Sequence, residues 1–418
     1  MSISKLKNCR ICNSNKFSKV INLGKQNIQG SFIKKNFSKP FLKKVPLQLV
    51  RCKQCSLIQT LYTVDPKILY KNYWYRSGIN HTMSNHLKNI AKECKEIINK
   101  HNKNFIFRIK VLDIGCNDCT LLKAYPKNFD KYGIDPSQIP LNYKSSSIKI
   151  YNDFFPNKKI ISNFSKDKAA IITSIAMFYD LKDPKRFVKS IKNILDFKGI
   201  WVIELSYIMK MLELNSFDTI CHEHLEYYSL TVLNLLMKAC DMKIFKISFN
   251  DSNGGSIRCF ITHQNNNIYD NYKDTLLVKN ILLKEKKAKI NSDYPYKQFF
   301  KRIIKIRKKL IYLINDIIKK KKIIHIYGAS TKGNTIIQWL NINNKKINYA
   351  AERNKDKWGA KTIGSNINIV SEDFSRKLKP NYYLVLPWHF KCEFLKREKR
   401  FLKNGGKFIF PLPLVKVY

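Results

Sequence analysis

Short apolar runs of strand length recur along the chain, and polar stretches of helical period separate them. VLDIG (111–115), YGID (132–135), AAIITSIAMF (169–178) and KGIWVIELS (198–206) form a first group. IIHIY (323–327), INYAA (347–351) and YYLVLPW (382–388) form a second. Between them, DPKRFVKSIKNIL (183–195) repeats its apolar residues at helical spacing. Strands alternating with helices in this way predict parallel sheets and an α/β fold. A longer helix is predicted over 296–322, where apolar residues at 300, 303, 304, 310, 311, 314, 317 and 318 keep helical period. Such a basic amphipathic helix can lie on a membrane, but packing between domains is the commoner use.

The pattern divides the chain into three: 1–70, 71–265 and 266–418. In the second segment VLDIGCNDCTLL (111–122) reads as a buried strand, a tight turn and a helix start. Asp113 and Gly115 sit in that turn, where a missing Cβ lets the backbone approach a ligand. Asp135 closes the next strand, placed to accept hydrogen bonds from ribose hydroxyls. The turn is not GxGxxG, which counts against a dinucleotide. In the third segment, Gly328 opens a similar turn before a helix start that holds Lys332 and Asn334. Glycine and lysine stand in the wrong order for a P-loop. A glycine turn feeding a helix N-terminus still makes an anion cradle, so a second Rossmann-like unit is expected.

Cysteines change the picture of the first segment. Cys9-x-x-Cys12 and Cys52-x-x-Cys55 are two knuckles, each able to converge two thiolates on one ion. Together they complete a closed, structural zinc site. The full count of 11 cysteines is odd, no signal peptide opens the chain, and no apolar run reaches membrane-spanning length. Reduced thiols and a cytoplasmic location are expected. The formal net charge of +48 suggests a polyanionic partner. Only 12 of the 78 basic residues are arginine, however, the side chain preferred for planar phosphate and base recognition. Scattered lysine looks instead like compositional bias, so neither nucleic acid nor a membrane is expected as partner.

CHEHLEYY (221–228) concentrates titratable groups. It is not HExxH, because position 226 is Glu, so a zincin helix is excluded. On a strand, His222 and His224 would face one side, as metal-binding HxH pairs do. The stronger reading is acid–base chemistry, with His as the base at neutral pH. The residues alone do not separate His222 from His224.

With these motifs in order, the chain resembles the sugar C-methyltransferases of deoxysugar pathways. The resemblance runs nearly end to end through CRICNS, PLQLVRCKQCSLIQ, YWYRSGIN, LDIGCNDCTLL, YGIDPS, FDTICHEHLEYYSL, NGGSIR, YGASTKGNT, ERNKDKWG, LPWHF and GGKFIFPLP. It implies a zinc-binding domain, an S-adenosylmethionine (SAM) methyltransferase domain and a Rossmann-like C-terminal domain. It implies SAM on Asp113, Gly115, Asn117, Asp118 and Asp135. It places Tyr75, His222, Glu223 and His224 at a reacting sugar and favours His224 as base, with Glu223 holding an imidazole in one tautomer. Two positions depart from the pattern: Cys119 stands where glycine is common and Cys221 where tyrosine is common. The substrate expected is a nucleotide-linked keto-sugar, its nucleotide held by the third domain through Gly328, Lys332, Asn334, Arg353, Trp358 and His389. A single chain would suffice for this, so a monomer is compatible.

Rival functions are O- or N-methylation of a sugar-like metabolite and RNA methylation. The chain has no Pro-Pro dipeptide for an amino-methylating loop and no Pro-Cys nucleophile for cytosine carbon.

Overall fold

The computed structural model describes residues 3–34, 41–70, 74–101, 108–143 and 147–418. Tyr73, the first residue of YWYRSGIN, lies outside them.

The central sheet has seven strands in the spatial order Met242–Asn250, Ser256–His263, Leu195–Ser206, Ala169–Ile175, Lys110–Ile114, Asp130–Ile134 and Ile148–Tyr151. The last five run parallel, and Ser256–His263 is antiparallel to both its neighbours. Its middle strands are buried almost throughout, as a parallel sheet covered on both faces requires. That burial explains why AAIITSI is a continuous apolar run with no alternation. The order of strands reverses at Lys110–Ile114, which lies between Asp130–Ile134 and Ala169–Ile175. Ligands bind at the carboxyl ends of strands at such a switch point.

A second parallel sheet follows. Ile324–Tyr327 lies between Tyr349–Glu352 and Tyr382–Val385, so it too has a switch point. The chain is therefore α/β, with two parallel sheets and a small antiparallel sheet near its start.

The units interlock, which the pattern of apolar positions did not anticipate. Phe32–Ile33, from the first segment, pairs with Lys361–Thr362 at the edge of the second parallel sheet. Glu226–Tyr227, from the middle of the chain, pairs with Ile58–Thr60 and becomes an edge strand of the antiparallel sheet.

The long helix runs Tyr294–Lys319. Its buried face is Tyr296, Phe299, Ile303, Ile306, Leu310, Ile314 and Ile317, packed in one core with Leu47 and Leu49 of the antiparallel sheet and Ile326 of the second parallel sheet. Each such side chain contributes about 1.5–3 kcal/mol by leaving water. The helix is an internal strut and not a membrane-surface element. No helix among the described residues is long and apolar enough to cross a membrane.

A buried charge network fixes the helix His81–His101 to the central sheet. Arg258 donates to Glu204 at 2.9 Å and to Glu93 at 2.7 Å, while His86 Nε2 meets the other Glu204 oxygen at 2.6 Å. Arg258 and Glu204 are nearly inaccessible. Arg258→Met should therefore leave Glu204 short of its buried counter-charge, at a cost of about 3–5 kcal/mol. Chemical denaturation should show an earlier midpoint; an unchanged midpoint would contradict this account.

Candidate functional site

The two cysteine knuckles meet. Sγ of Cys9 lies 3.5 Å from that of Cys55, and Sγ of Cys12 lies 3.5 Å from that of Cys52. All four sulfurs fall within 4.8 Å of one another. A tetrahedral zinc with Zn–S bonds of about 2.3 Å needs S–S separations of roughly 3.8 Å, so the set fits the ion. Each knuckle turns through a left-handed residue just after its second cysteine, Asn13 (φ 61°) and Ser56 (φ 66°). Gln59 Nε2 donates to Cys9 Sγ at 3.2 Å, a support that sequence spacing did not reveal.

Between the two parallel sheets opens a cleft of about 620 Å³. The carboxyl ends of both switch-point strands line it, through Gly115 on one side and Gly328 on the other. Gly115 has φ +78° and closes the first strand–turn. Behind it, Asp113 accepts from Thr173 Oγ1 at 2.6 Å. Burial pushes the Asp113 carboxyl up to about 7, with the charges of Asp135 and Asp118 adding to the effect and the Thr173 bond opposing it. Asp135 accepts from Ser137 N and Oγ on one oxygen and from Asn117 N on the other, at 2.8, 2.6 and 3.0 Å. A carboxylate has about four acceptor positions, so one remains for a ligand.

Asn117 and Asp118 do something else with their side chains. Asn117 accepts from Ser77 N at 3.0 Å and donates to Tyr75 O at 3.0 Å, while Asp118 accepts from Gly78 N at 2.6 Å. Asp118 does not line the cleft. Both residues clasp the segment that carries Tyr75; Asn117 also lines the cleft, whereas Asp118 reaches the site only through that segment. Tyr75 itself lines the cleft and keeps 45% of its surface open.

The loop holding the two histidines is stretched between structures. Downstream, Thr60 N donates to Leu225 O at 2.9 Å, next to the pairing of Glu226 with Gln59. The loop is not a strand, so the histidines do not share a side. His222 is buried against the first segment, its Nδ1 2.7 Å from Gln29 Oε1 and its Nε2 3.2 Å from Val45 O. Burial holds it down at about 4. It does not line the cleft, which corrects its expected place at the substrate. His224 does line the cleft, with its ring 4.2 Å from that of Tyr179. Its Nδ1 lies 2.8 Å from Thr219 O. A carbonyl only accepts, so this bond assigns the proton to Nδ1 and leaves a lone pair on Nε2. Burial, then the charge of Lys332, hold His224 down at about 3, with the Thr219 bond acting the other way.

Glu223 holds neither imidazole. Its Oε1 accepts from Gly30 N at 2.7 Å, and a Cβ at Gly30 would meet that oxygen at 2.2 Å. Burial raises its carboxyl above the usual range. The tautomer role expected of it belongs to the Thr219 carbonyl.

On the far wall, Gly328 has φ +85°, and a Cβ there would meet the Pro387 ring at 2.5 Å. The turn is ordered by Glu352, which accepts from Ala329 N at 2.8 Å. Arg353 and His389 line the cleft. Burial, then Lys332, hold His389 at about 3. Asn334 and Trp358 do not line it. Asn334 is buried and donates to Gln29 O at 2.6 Å, joining this unit to the first segment. Trp358 donates to Glu352 O at 2.8 Å beside a separate shallow depression. Their sequence signal, polar or aromatic residues after a strand, does not distinguish a ligand contact from a packing one.

Sequence reading missed Arg397 and Asp180, both in the cleft wall. The Arg397 guanidinium lies 5.2 Å over Phe394 and pairs with Glu372 at 2.7 Å. It hid inside the basic run KREKR, where composition alone supplies many charges. Asp180 accepts from Tyr70 OH at 2.8 Å, and burial raises its carboxyl strongly.

Three family profiles match the chain in series. A zinc binding domain covers residues 9–70, a methyltransferase domain 83–246 and a C-methyltransferase C-terminal domain 251–413. The C-methyltransferase NovU of Streptomyces niveus is 24% identical over 410 residues, spanning 97% of this chain and 95% of the relative. The chain is a methyltransferase that carries a C-methyltransferase C-terminal domain. Solved structures that match include an S-adenosylmethionine-dependent methyltransferase from Clostridium acetobutylicum (14% identity, 41% of this chain and 92% of that chain, TM-score 0.31). The plantazolicin methyltransferase BpumL in complex with SAH also matches (15% identity, 44% and 89%, TM-score 0.33). With this methyltransferase domain the protein uses SAM, and with this zinc-binding domain its four knuckle cysteines bind zinc.

Asp135→Asn keeps an acceptor for Ser137 but replaces one carboxylate oxygen with a donor. SAM affinity should fall roughly tenfold to a hundredfold, as expected for losing a hydrogen bond to a charged acceptor. An unchanged titration curve would show that another residue holds the ribose.

Proposed function

We propose that this methyltransferase acts on a carbon beside the ketone of a nucleotide-linked deoxysugar, with His224 as the base that forms the enolate. The observation that carries the reading is the free Nε2 of His224, in a cleft that joins both switch points. On this reading the chain divides at about 70 and 265 into zinc-binding, cofactor-binding and substrate-binding domains, held together by the crossing strands.

Gly115 and Asp135 would hold SAM, which would supply an electrophilic methyl carbon. The Gly328 turn and Arg353 bind the diphosphate of the substrate, since backbone N–H groups at a helix start favour anions. Arg397, stacked on Phe394, borders the same wall. His224 Nε2 takes the proton from the carbon; the electron pair of that C–H bond becomes the new C=C bond and the carbonyl π pair moves onto the ketone oxygen. Thr219 O keeps the other ring proton in place, so the imidazolium that forms stays oriented. Tyr75 donates its phenol proton to a hydrogen bond with the developing oxyanion. The chain's own part in the transfer is to hold the enolate carbon in line with the methyl group, whose bond to sulfur would break as the C–C bond forms and leave S-adenosylhomocysteine.

Proton removal need not wait for methyl transfer. With a panel of nucleoside-diphosphate-linked keto-deoxyhexoses and a non-reactive SAM analogue in deuterated water, the enzyme should exchange one C–H of its substrate. His224→Asn should lower exchange and methylation by about 10²–10⁴ while SAM binding persists. His222→Asn should act on stability first. Full exchange by the His224 variant, or a product methylated on oxygen, would sink the proposal.

A further inference from the structure

Lys332 occupies an unfavourable position that nothing above explains. It lies in the first turn of the helix Thr331–Trp339, where the positive end of the helix dipole opposes a cation. It lines the cleft, and burial lowers its ammonium from the usual lysine range. Its Nζ donates to the backbone carbonyl of Asn253 at 2.8 Å. Among the described residues no carboxylate forms an ion pair with it. A partly buried ammonium held by one carbonyl is costly unless an anion joins it in the working state.

Two substrate groups are anionic in that state, the diphosphate and the oxygen of the enolate. The bond to Asn253 decides between them. Asn253 belongs to the turn joining Met242–Asn250 to Ser256–His263, on the central sheet. The ammonium is thus drawn across the cleft, away from the Gly328 turn and toward the methyl-transfer side. Its surroundings agree: Asp218 and Cys221 are the acidic groups that act on it. Its charge in turn acts on the imidazoles of His224 and His389. Asp218 accepts from Trp388 Nε1 at 2.9 Å on one oxygen and keeps the other buried without a hydrogen-bond partner, so it acts on the ammonium through its charge and not through an ion pair. Glu223 and Asp180 act on Cys221 in turn, while the Tyr179 ring lies against His224 and Tyr227 OH donates to its Thr219 partner.

We propose that Lys332 is a catalytic residue, an ammonium facing the ketone oxygen of the substrate and stabilising the charge that develops there as His224 removes the neighbouring proton. The inference rests on His224 being the base. No covalent bond to lysine forms: the C–H pair becomes the C=C bond, the carbonyl pair moves to oxygen, and Lys332 keeps its protons throughout. Burial first, and the same cation second, keep His224 neutral, with its Nε2 lone pair free, before substrate arrives. It corrects the diphosphate role expected from the glycine turn.

The test uses full-length, zinc-loaded Lys332→Met and Lys332→Arg with the keto-deoxyhexose panel. In Lys332→Met, kcat and deuterium exchange should fall together by about 10²–10³, as for a lost oxyanion donor, with SAM binding intact. Removing a cation beside His224 raises the pKa of the imidazole, so the acid limb of the kcat/KM profile should move to higher pH. Lys332→Arg should retain the position of that limb and recover part of the rate. A raised KM with unchanged kcat would make Lys332 a diphosphate contact and overturn the inference. A lower kcat with an unmoved limb would make it a packing residue and overturn it equally. His224→Asn separates the two levels. If that variant exchanges normally, the base assignment fails and takes the lysine with it. If it is silent while Lys332→Met exchanges at the parent rate, the lysine inference alone fails.

Discussion

Thr60 N–H donates to the Leu225 carbonyl at 2.9 Å, and that bond, with the register of Glu226 on Gln59, governs where the loop before it can go. The chain leaves the central sheet after Ser206, crosses to the antiparallel sheet to add one short strand, and returns for the helix Leu230–Lys238. The stretch between is pulled taut. His222 falls into the packing of the first segment, against Gln29 and Val45, and His224 turns the other way into the cleft. Arg10, between the two cysteines of the first knuckle, reaches the same edge: it bonds Thr60 O at 3.1 Å and pairs with Glu226 at 3.4 Å. The zinc site therefore anchors the strand that positions the proposed base.

The cleft collects charges that most protein interiors avoid. Asp113, Asp180 and Glu223 all have their carboxyls raised by burial, while His224 and His389 are held down. Lys332 stands among them without an ion pair to any described residue. Such groups are unfavourable in isolation and become useful when a ligand supplies the missing partner. Catalysis by a fixed charge needs this prior arrangement, because a site that must reorganise during the reaction loses the benefit. The Arg258–Glu204–His86 network serves the opposite purpose: its charges satisfy one another and hold the helix against the sheet.

What the sequence discloses depends on how local the governing contact is. Zinc ligands are legible because two residues of spacing decide whether thiolates converge. Parallel strands are legible because burial on both faces removes alternation. The choice between His222 and His224 is not legible, since it is made by Gln29, Val45 and Thr60, far away in the chain. Asn117 and Asp118 were visible as a turn but not as a clasp on Ser77 and Gly78. Asn334 and Trp358 were misplaced for the same reason, their partners being Gln29 and the Glu352 backbone. The charge of +48 did not help, because it concealed Lys332 and Arg397 among many ordinary cations.

The central claim is a tautomer: His224 carries its proton on Nδ1 and offers Nε2 to the substrate. Nitrogen NMR of protein labelled at its 8 histidines, with His224→Gln to identify the signal, reads this directly. The account predicts a neutral ring at pH 7 with Nδ1 protonated and Nε2 bare, persisting well below the ordinary histidine range. A ring protonated on Nε2, or one that titrates near 6.5 as a free imidazole does, would contradict it.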